Sequence, residues 1–196
     1  MSSRVLLVNA NRCEAPDPVF PLALSCLNSA LRRAGHECRW HDVLVDADFC
    51  ESLRRWKPDF VGISLRNIDD VLIRRKETFF DDLSSLTSTV KTRVGCPVIL
   101  GGSGFSIFPR QLLAISGADY GIVGEGEAAL VSLVEALEGS GDVRTIPGLV
   151  YREGGLAKLN AACWCPEEAG LERADRPDRI ADYYTNAGGM LNIQTQ

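Results

Sequence analysis

The stretch "PVILGGSGFS", residues 97–106, opens as a short apolar run and breaks into glycine and serine. A continuous apolar run of this length suits a strand covered on both faces, and glycine followed by small polar residues suits the turn into a helix. The same unit recurs on either side. "RVLLVN" (4–9) is a first such strand. A helix starting near Pro21 follows it, with Leu24, Leu27 and Leu31 on one stripe and a stop at Gly35. "ECRWHDV" (37–43) is a weaker, more polar strand suited to an edge, followed by a short helix over 47–56. "DFVGIS" (59–64) is the third strand, and the loop "LRNIDDVLIRRKE" leads from it to a helix over 78–93. After "PVILGG" come a glycine-rich loop, a helix over 110–116, the strand "DYGIVG" (119–124) and a helix over 127–138. Five strand–helix units predict an α/β fold: an open five-stranded parallel sheet with helices on both faces.

Beyond Gly141 the pattern changes. "GLVYREGGLAKLN" (148–160) predicts a hairpin turning at "EGG", and 161–189, charged and without a period, predicts a linker. The expected organisation is a ligand-binding domain over 1–141, a hairpin extension over 142–160 and a linker over 161–196. The final "MLNIQTQ" (190–196) alternates apolar and polar residues like the opening of a strand whose partners lie elsewhere.

Composition narrows the function. The net charge of −5 without a basic stripe argues against nucleic acid or anionic lipid as a partner, and 45% hydrophobic residues support a sizeable core. There is no apolar run of membrane-spanning length and no signal-peptide pattern at the N-terminus. The seven cysteines are odd in number and scattered, as in a reduced cytoplasmic protein. Cys163 and Cys165 flank Trp164 at a spacing that is not a zinc or cluster motif. His36 and His41 have no second ligand at helical spacing, so no metal site is expected.

In an open parallel sheet, ligands bind beyond the carboxyl ends of the strands, where the strand order reverses. Four loops fall there: "NANR" (9–12), "LRNIDD" (65–70), "GGSGFS" (101–106) and "GEGE" (124–127). Each has a purely structural explanation. The Gly101–Gly102 pair suits a tight turn, Ser103 and Ser106 suit helix caps, and Glu125 or Glu127 complements a helix dipole. Their convergence at one end of the sheet favours a ligand. The phosphate-binding patterns GxGxxG and GxxxxGK[ST] are absent, as are a nucleophile elbow and a paired-histidine site. Nothing in the residues indicates self-sufficient catalysis.

"DFVGISLRNIDD", "GGSGFSIFP" and "ADYGIVGEGE", in this order, resemble the N-terminal cobalamin-binding domain of cobalamin-dependent radical S-adenosylmethionine enzymes. The resemblance implies a Rossmann-like (flavodoxin-like) sheet with the corrin across the strand ends and the nucleotide tail running down into the sheet. It implies that Ser64, Leu65, Arg66 and Asn67 lie at the lower corrin face. Gly101, Gly102, Ser103, Gly104 and Phe105 would line the tail, and Gly124, Glu125 and Gly126 would close the far side, with Asn9 and Asn11 at the first loop. The Asp-x-His-x-x-Gly motif of other cobalamin domains is absent, and their Ser-x-Leu element is matched only at Ser64. Cobalt is therefore expected base-off, with no histidine beneath it and with Arg66 or Asn67 near that face. "ADYYTNAGGMLNIQTQ" (181–196) is similar to the lead-in to a radical domain, which would carry S-adenosylmethionine and a [4Fe-4S] cluster on a Cys-x3-Cys-x2-Cys motif.

The implied activity is methyl transfer from methylcobalamin to an unactivated substrate carbon, with cyclisation or ring contraction known among enzymes of this resemblance. The alternative is a non-catalytic cobalamin-sensing or trafficking module. A phosphoacceptor receiver is disfavoured, because Asn9 and Asn11 stand where paired acids would be and Ser64 stands where an aspartate would be.

Overall fold

The structure, a computed structural model, describes residues 2–14, 17–67, 80–162 and 175–188. Five parallel strands form its centre: β1 (Arg4–Asn9), β2 (Glu37–Asp42), β3 (Phe60–Ser64), β4 (Val98–Gly101) and β5 (Tyr120–Ile122). Two further strands, β6 (Leu149–Glu153) and β7 (Leu156–Leu159), continue the sheet antiparallel in the order β2-β1-β3-β4-β5-β6-β7. The sheet thus has seven strands rather than the five expected. Leu149 and Val150 are fully buried and pair with Ile122 and Gly121, so the hairpin covers what would otherwise be the open edge of β5.

Successive side chains of a strand face opposite ways, which divides the core in two. Leu6 and Val8 of β1 join Val61, Ile63, Val98 and Leu100 beneath α2 (Phe49–Trp56), α3 (Phe80–Arg93) and α5 (Pro109–Ser116). Val5 and Leu7 join Phe60, Ile99 and Ile122 beneath α1 (Leu22–Arg33) and α6 (Glu127–Glu135). The helix after β1 thus covers one face, and those after β2, β3 and β4 cover the other. The strand order reverses between β1 and β3, where those two sets of connections part.

Local signals account for the helix ends. Asp48 caps α2, its Oδ1 accepting from Glu51 N at 3.0 Å, and Lys57 closes the helix in the left-handed conformation. The glycine-rich loop after β4 is more ordered than expected: Ser103–Ile107 coils into a short helix, α4. Its Phe105 is fully buried, and the ring covers Gly121 so closely that a Cβ there would stand 2.1 Å from Phe105 Cζ. Glycine at 121 is what admits the ring.

Within the stretch expected to be a linker, Asp178–Gly188 forms a helix, α7. It packs Ile180 and Tyr184, both fully buried, against Phe20, with Trp40, Leu44 and Val45 around them. The tail "MLNIQTQ" and the Cys163/Cys165 pair lie outside the described residues. No helix among the described residues is long and apolar enough to cross a membrane.

Candidate functional site

A cleft of about 1000 Å³ opens between α1 and α6 at the carboxyl ends of the parallel strands. Its floor is apolar sheet: Leu7, Ile63, Ile99, Leu100 and Ile122. One wall is the first two turns of α1, from Leu22 to Leu27, and the other is Leu130 of α6. The rim is polar or glycine, with Ser64, Gly101, Gly102, Gly124, Glu125 and Gly126. Ser64 ends β3, and the other five belong to the loops expected to bind a ligand.

The rim is tied together by backbone. Leu65 N donates to Gly101 O at 2.8 Å, and Leu65 O in turn accepts from Gly104 N at 2.9 Å. Ser103 Oγ donates to Arg66 O at 2.9 Å. These bonds turn the chain after β3 against the start of α4, and they need Gly102: its φ is +96°, and a Cβ there would stand 2.5 Å from Leu65 O. Ser106 links the next pair of loops, its Oγ donating to Gly102 O at 3.1 Å and accepting from Gly124 N at 3.2 Å. Beyond this frame there is room: a Cβ on Gly124 would meet nothing within 4 Å, and one on Gly101 nothing nearer than Ile122 O at 3.9 Å.

The other expected site residues divide into two groups. Arg66 is exposed and Asn67 half-buried, both beside the rim. Ser103 is exposed and Gly104 buried at the start of α4. Leu65 and Phe105 are core residues and do not line the cleft. Asn9 and Asn11, both buried, also stand away from it. Asn9 Nδ2 donates to Asp42 Oδ2 at 2.8 Å and to Tyr184 Oη at 3.0 Å, and Asn9 Oδ1 accepts from Asn11 N at 3.3 Å. Its polar atoms are therefore engaged inside the protein, with β2 and α7, rather than turned to a ligand.

Burial raises the Asp42 carboxyl above the usual aspartate range, against hydrogen bonds from Asn9, Leu44 N and Tyr184 that favour the charge. Tyr184 is pushed up in turn, by burial and by the neighbouring Asp42. His41 is held down by burial, with its Nδ1 2.9 Å from Ser52 Oγ, and His36 Nδ1 accepts from Ser3 N at the opposite end of the strand. Neither histidine lines the cleft. Among the described residues no group of three or more His, Cys, Asp or Glu could hold a metal ion.

The α1 wall was not anticipated as part of a site. Leu24 and Leu27 carry the spacing of an ordinary core stripe, and nothing in the residue types separates a helix face that packs from one that leaves a gap. The one signal is small: opposite Leu27 stands Gly126, where a Cβ would lie 3.1 Å from Leu27 Cδ2. The helix-start glycine lets Leu27 of α1 approach the start of α6 at the cleft edge.

Comparison with known proteins agrees with this geometry. The B12 binding domain family matches residues 9–134. Tryptophan 2-C-methyltransferase of Streptomyces laurentii is 34% identical over 157 residues, covering 76% of this chain and 26% of that protein. Hopanoid C-3 methylase of Methylococcus capsulatus is 34% identical over 161 residues, covering 72% of this chain and 28% of that protein. The radical S-adenosylmethionine methyltransferase TsrM of Kitasatospora setae, solved with cobalamin and a [4Fe-4S] cluster bound, superposes with a TM-score of 0.72 at 31% identity, over 82% of this chain and 31% of that one. The cobalamin-dependent S-adenosylmethionine radical enzyme OxsB, at 23% identity and a TM-score of 0.73, shares the fold. The chain spans about a quarter to a third of the length of these relatives. A family match over more than half of the chain, on a sheet with its cleft at the strand-order reversal, establishes that the protein belongs to the B12-binding domain family.

Proposed function

We propose that the chain holds cobalamin base-off in the α1–α6 cleft as the cofactor domain of a radical S-adenosylmethionine methyltransferase. The observation that carries this reading is the cleft itself. At about 1000 Å³ it stands at the top of the range for small-molecule sites, so it suits a large cofactor rather than a metabolite. Its glycine rim lets backbone approach a ligand, and its floor runs along the sheet as far as Leu7 and Gly62, where a flat aromatic base would find apolar contact. The residues present therefore fit the group.

In this reading the backbone of Gly101, Gly102, Gly124 and Gly126 lines the tail, and Ser64 supplies a hydroxyl at the mouth. Leu65, Arg66, Asn67, Ser103, Gly104 and Glu125 border the corrin. Phe105, Asn9 and Asn11 act from behind, by packing and by fixing the loops. When bound, cobalamin supplies a cobalt centre that carries a methyl group and gives it up to a substrate. The chain's own part is to position the corrin, exclude water from the tail and leave the cobalt without an imidazole ligand, since both histidines are engaged elsewhere. The exposed guanidinium of Arg66 puts a fixed positive charge beside the rim. The partner is a radical domain carrying S-adenosylmethionine and the [4Fe-4S] cluster, as in the full-length relatives. The reduced thiols of Cys38, Cys50 and Cys96 favour a cytoplasmic location.

Reconstitution with hydroxocobalamin followed by reduction tests the reading. The expected Co(II) spectrum is five-coordinate and base-off without nitrogen hyperfine splitting. Nitrogen splitting would overturn the ligand assignment, and failure to bind at micromolar concentration would overturn the function.

A further inference from the structure

The latch between α7 and the ends of β1 and β2 has no place in the cleft, yet it joins the elements that shape it. Asn9 and Asp42 are the last residues of neighbouring strands and lie in register. Tyr184 reaches them from α7 across 142 positions of sequence, its Oη donating to Asp42 Oδ2 at 2.9 Å. The second Asp42 oxygen accepts from Leu44 N at 2.9 Å, and Asp42 N donates to Asp46 Oδ2 at 2.8 Å. Arg179, one turn before Tyr184, pairs with Asp46. The latch is satisfied by charged and neutral partners, and it is sealed from water at Asp42 and Tyr184.

The same helix grips the segment between β1 and α1. Tyr183 Oη donates to Glu14 Oε1 at 3.0 Å, and the Phe20 ring meets Tyr184 edge-on with centroids 5.7 Å apart. Gly188 lies so close that a Cβ on it would stand 2.9 Å from Pro18 O. Two residues past Phe20 the chain enters α1, whose start at Pro21 has no side-chain cap and whose first two turns are the cleft wall. The N-terminal end of that wall is thus held by α7 rather than by its own cap.

We propose that α7 is a strap that positions the α1 wall, with Tyr184 and Asp42 as positioning residues for cobalamin retention; this rests on the cobalamin reading above. Closing the strap and filling the cleft both require the same placement of residues 17–27, so each favours the other. The coupling is reciprocal: whatever factor the strap adds to cofactor affinity, the cofactor adds to strap closure. Helix α7 is thereby sensitive to whether cobalamin is in place.

Two measurements on the 196-residue chain decide this. In the first, Tyr184→Phe removes the hydroxyl and keeps the ring. Hydroxocobalamin dissociation is expected to be at least about fivefold faster, the lower bound of ordinary coupling. Gly154→Ala, in the distant hairpin turn, is expected to leave it unchanged. In the second, amide hydrogen exchange of the unaltered chain is followed with and without hydroxocobalamin. Residues 178–188, which do not line the cleft, are expected to gain protection on binding, a signature that packing alone would not give. Equal dissociation for wild type and Tyr184→Phe, or exchange in α7 that ignores the cofactor, would overturn the strap while leaving the cobalamin site standing. Absence of binding by the unaltered chain would overturn both.

Discussion

The adjacent glycines 101 and 102 give opposite predictions for the same substitution. Gly102→Ala must place a Cβ in the left-handed region, at φ +96°, which costs about 1–2 kcal/mol. That Cβ would also stand 2.5 Å from Leu65 O, where ordinary contact begins at 3.4 Å. The carbonyl cannot move away freely, because it accepts from Gly104 N at 2.9 Å while Leu65 N is held by Gly101 O at 2.8 Å. Overpacking of this kind adds about 1–3 kcal/mol. A total near 3 kcal/mol corresponds to a fall of roughly 6–12 °C in Tm for a domain of this size. Gly101→Ala carries no such burden: its φ is not in the left-handed region, and its nearest neighbour would be 3.9 Å away. There alanine is expected to be neutral or to stabilise the strand end by about 0.5 kcal/mol. Differential scanning calorimetry of the two variants reads the contrast directly. Equal falls in Tm, or no fall for Gly102→Ala, would refute the account of the rim.

Two further outcomes follow from the buried groups. Because burial raises the folded-state pKa of Asp42 above its unfolded value, its contribution to stability is fully present below the normal aspartate pKa. It is lost as pH rises through the raised value. The stability of wild type minus that of Asp42→Asn, measured by urea denaturation, should therefore fall as pH rises above about 4; a difference that grows with pH would contradict it. Burial pushes the Cys38 thiol up to about 12 and Cys96 up to about 11, so both should resist iodoacetamide at pH 8 in native protein. Cys50, half-buried, should be alkylated before Cys38 and Cys96 as read by mass spectrometry, and alkylation of Cys26, a cleft residue, should slow when hydroxocobalamin is added.

Much of this was legible in the residues because parallel strands covered on both faces leave continuous apolar runs, as at Val5–Val8 and Val98–Leu100. The edge position of β2 was legible for the converse reason, its exposed Glu37 and Arg39. The attachment of β6 and β7 to the sheet was not, since a hairpin's pattern is the same whether it stands alone or pairs with β5 through Leu149 and Val150. Helix α7 was not legible because its buried face amounts to Ile180 and Tyr184, one i,i+4 pair, too little to make a period. At the site, the rim could be found from Gly101, Gly102, Gly124 and Gly126, whose lack of side chains is itself the signal. The hydrogen bonds of Asn9 could not be read from the sequence, because its partners come from β2 and from a helix 175 positions away.

Whether cobalamin occupies the α1–α6 cleft is read by titrating the chain with hydroxocobalamin beside Gly101→Leu. The leucine would project from a rim position where a Cβ makes only ordinary contact, 3.9 Å from Ile122 O, and its φ needs no glycine. The expected result is 1:1 binding at micromolar concentration or tighter for the unaltered chain, and at least about tenfold weaker binding for Gly101→Leu at unchanged Tm, equivalent to about 1.4 kcal/mol. No binding by the unaltered chain, or equal binding by the two proteins, would contradict it.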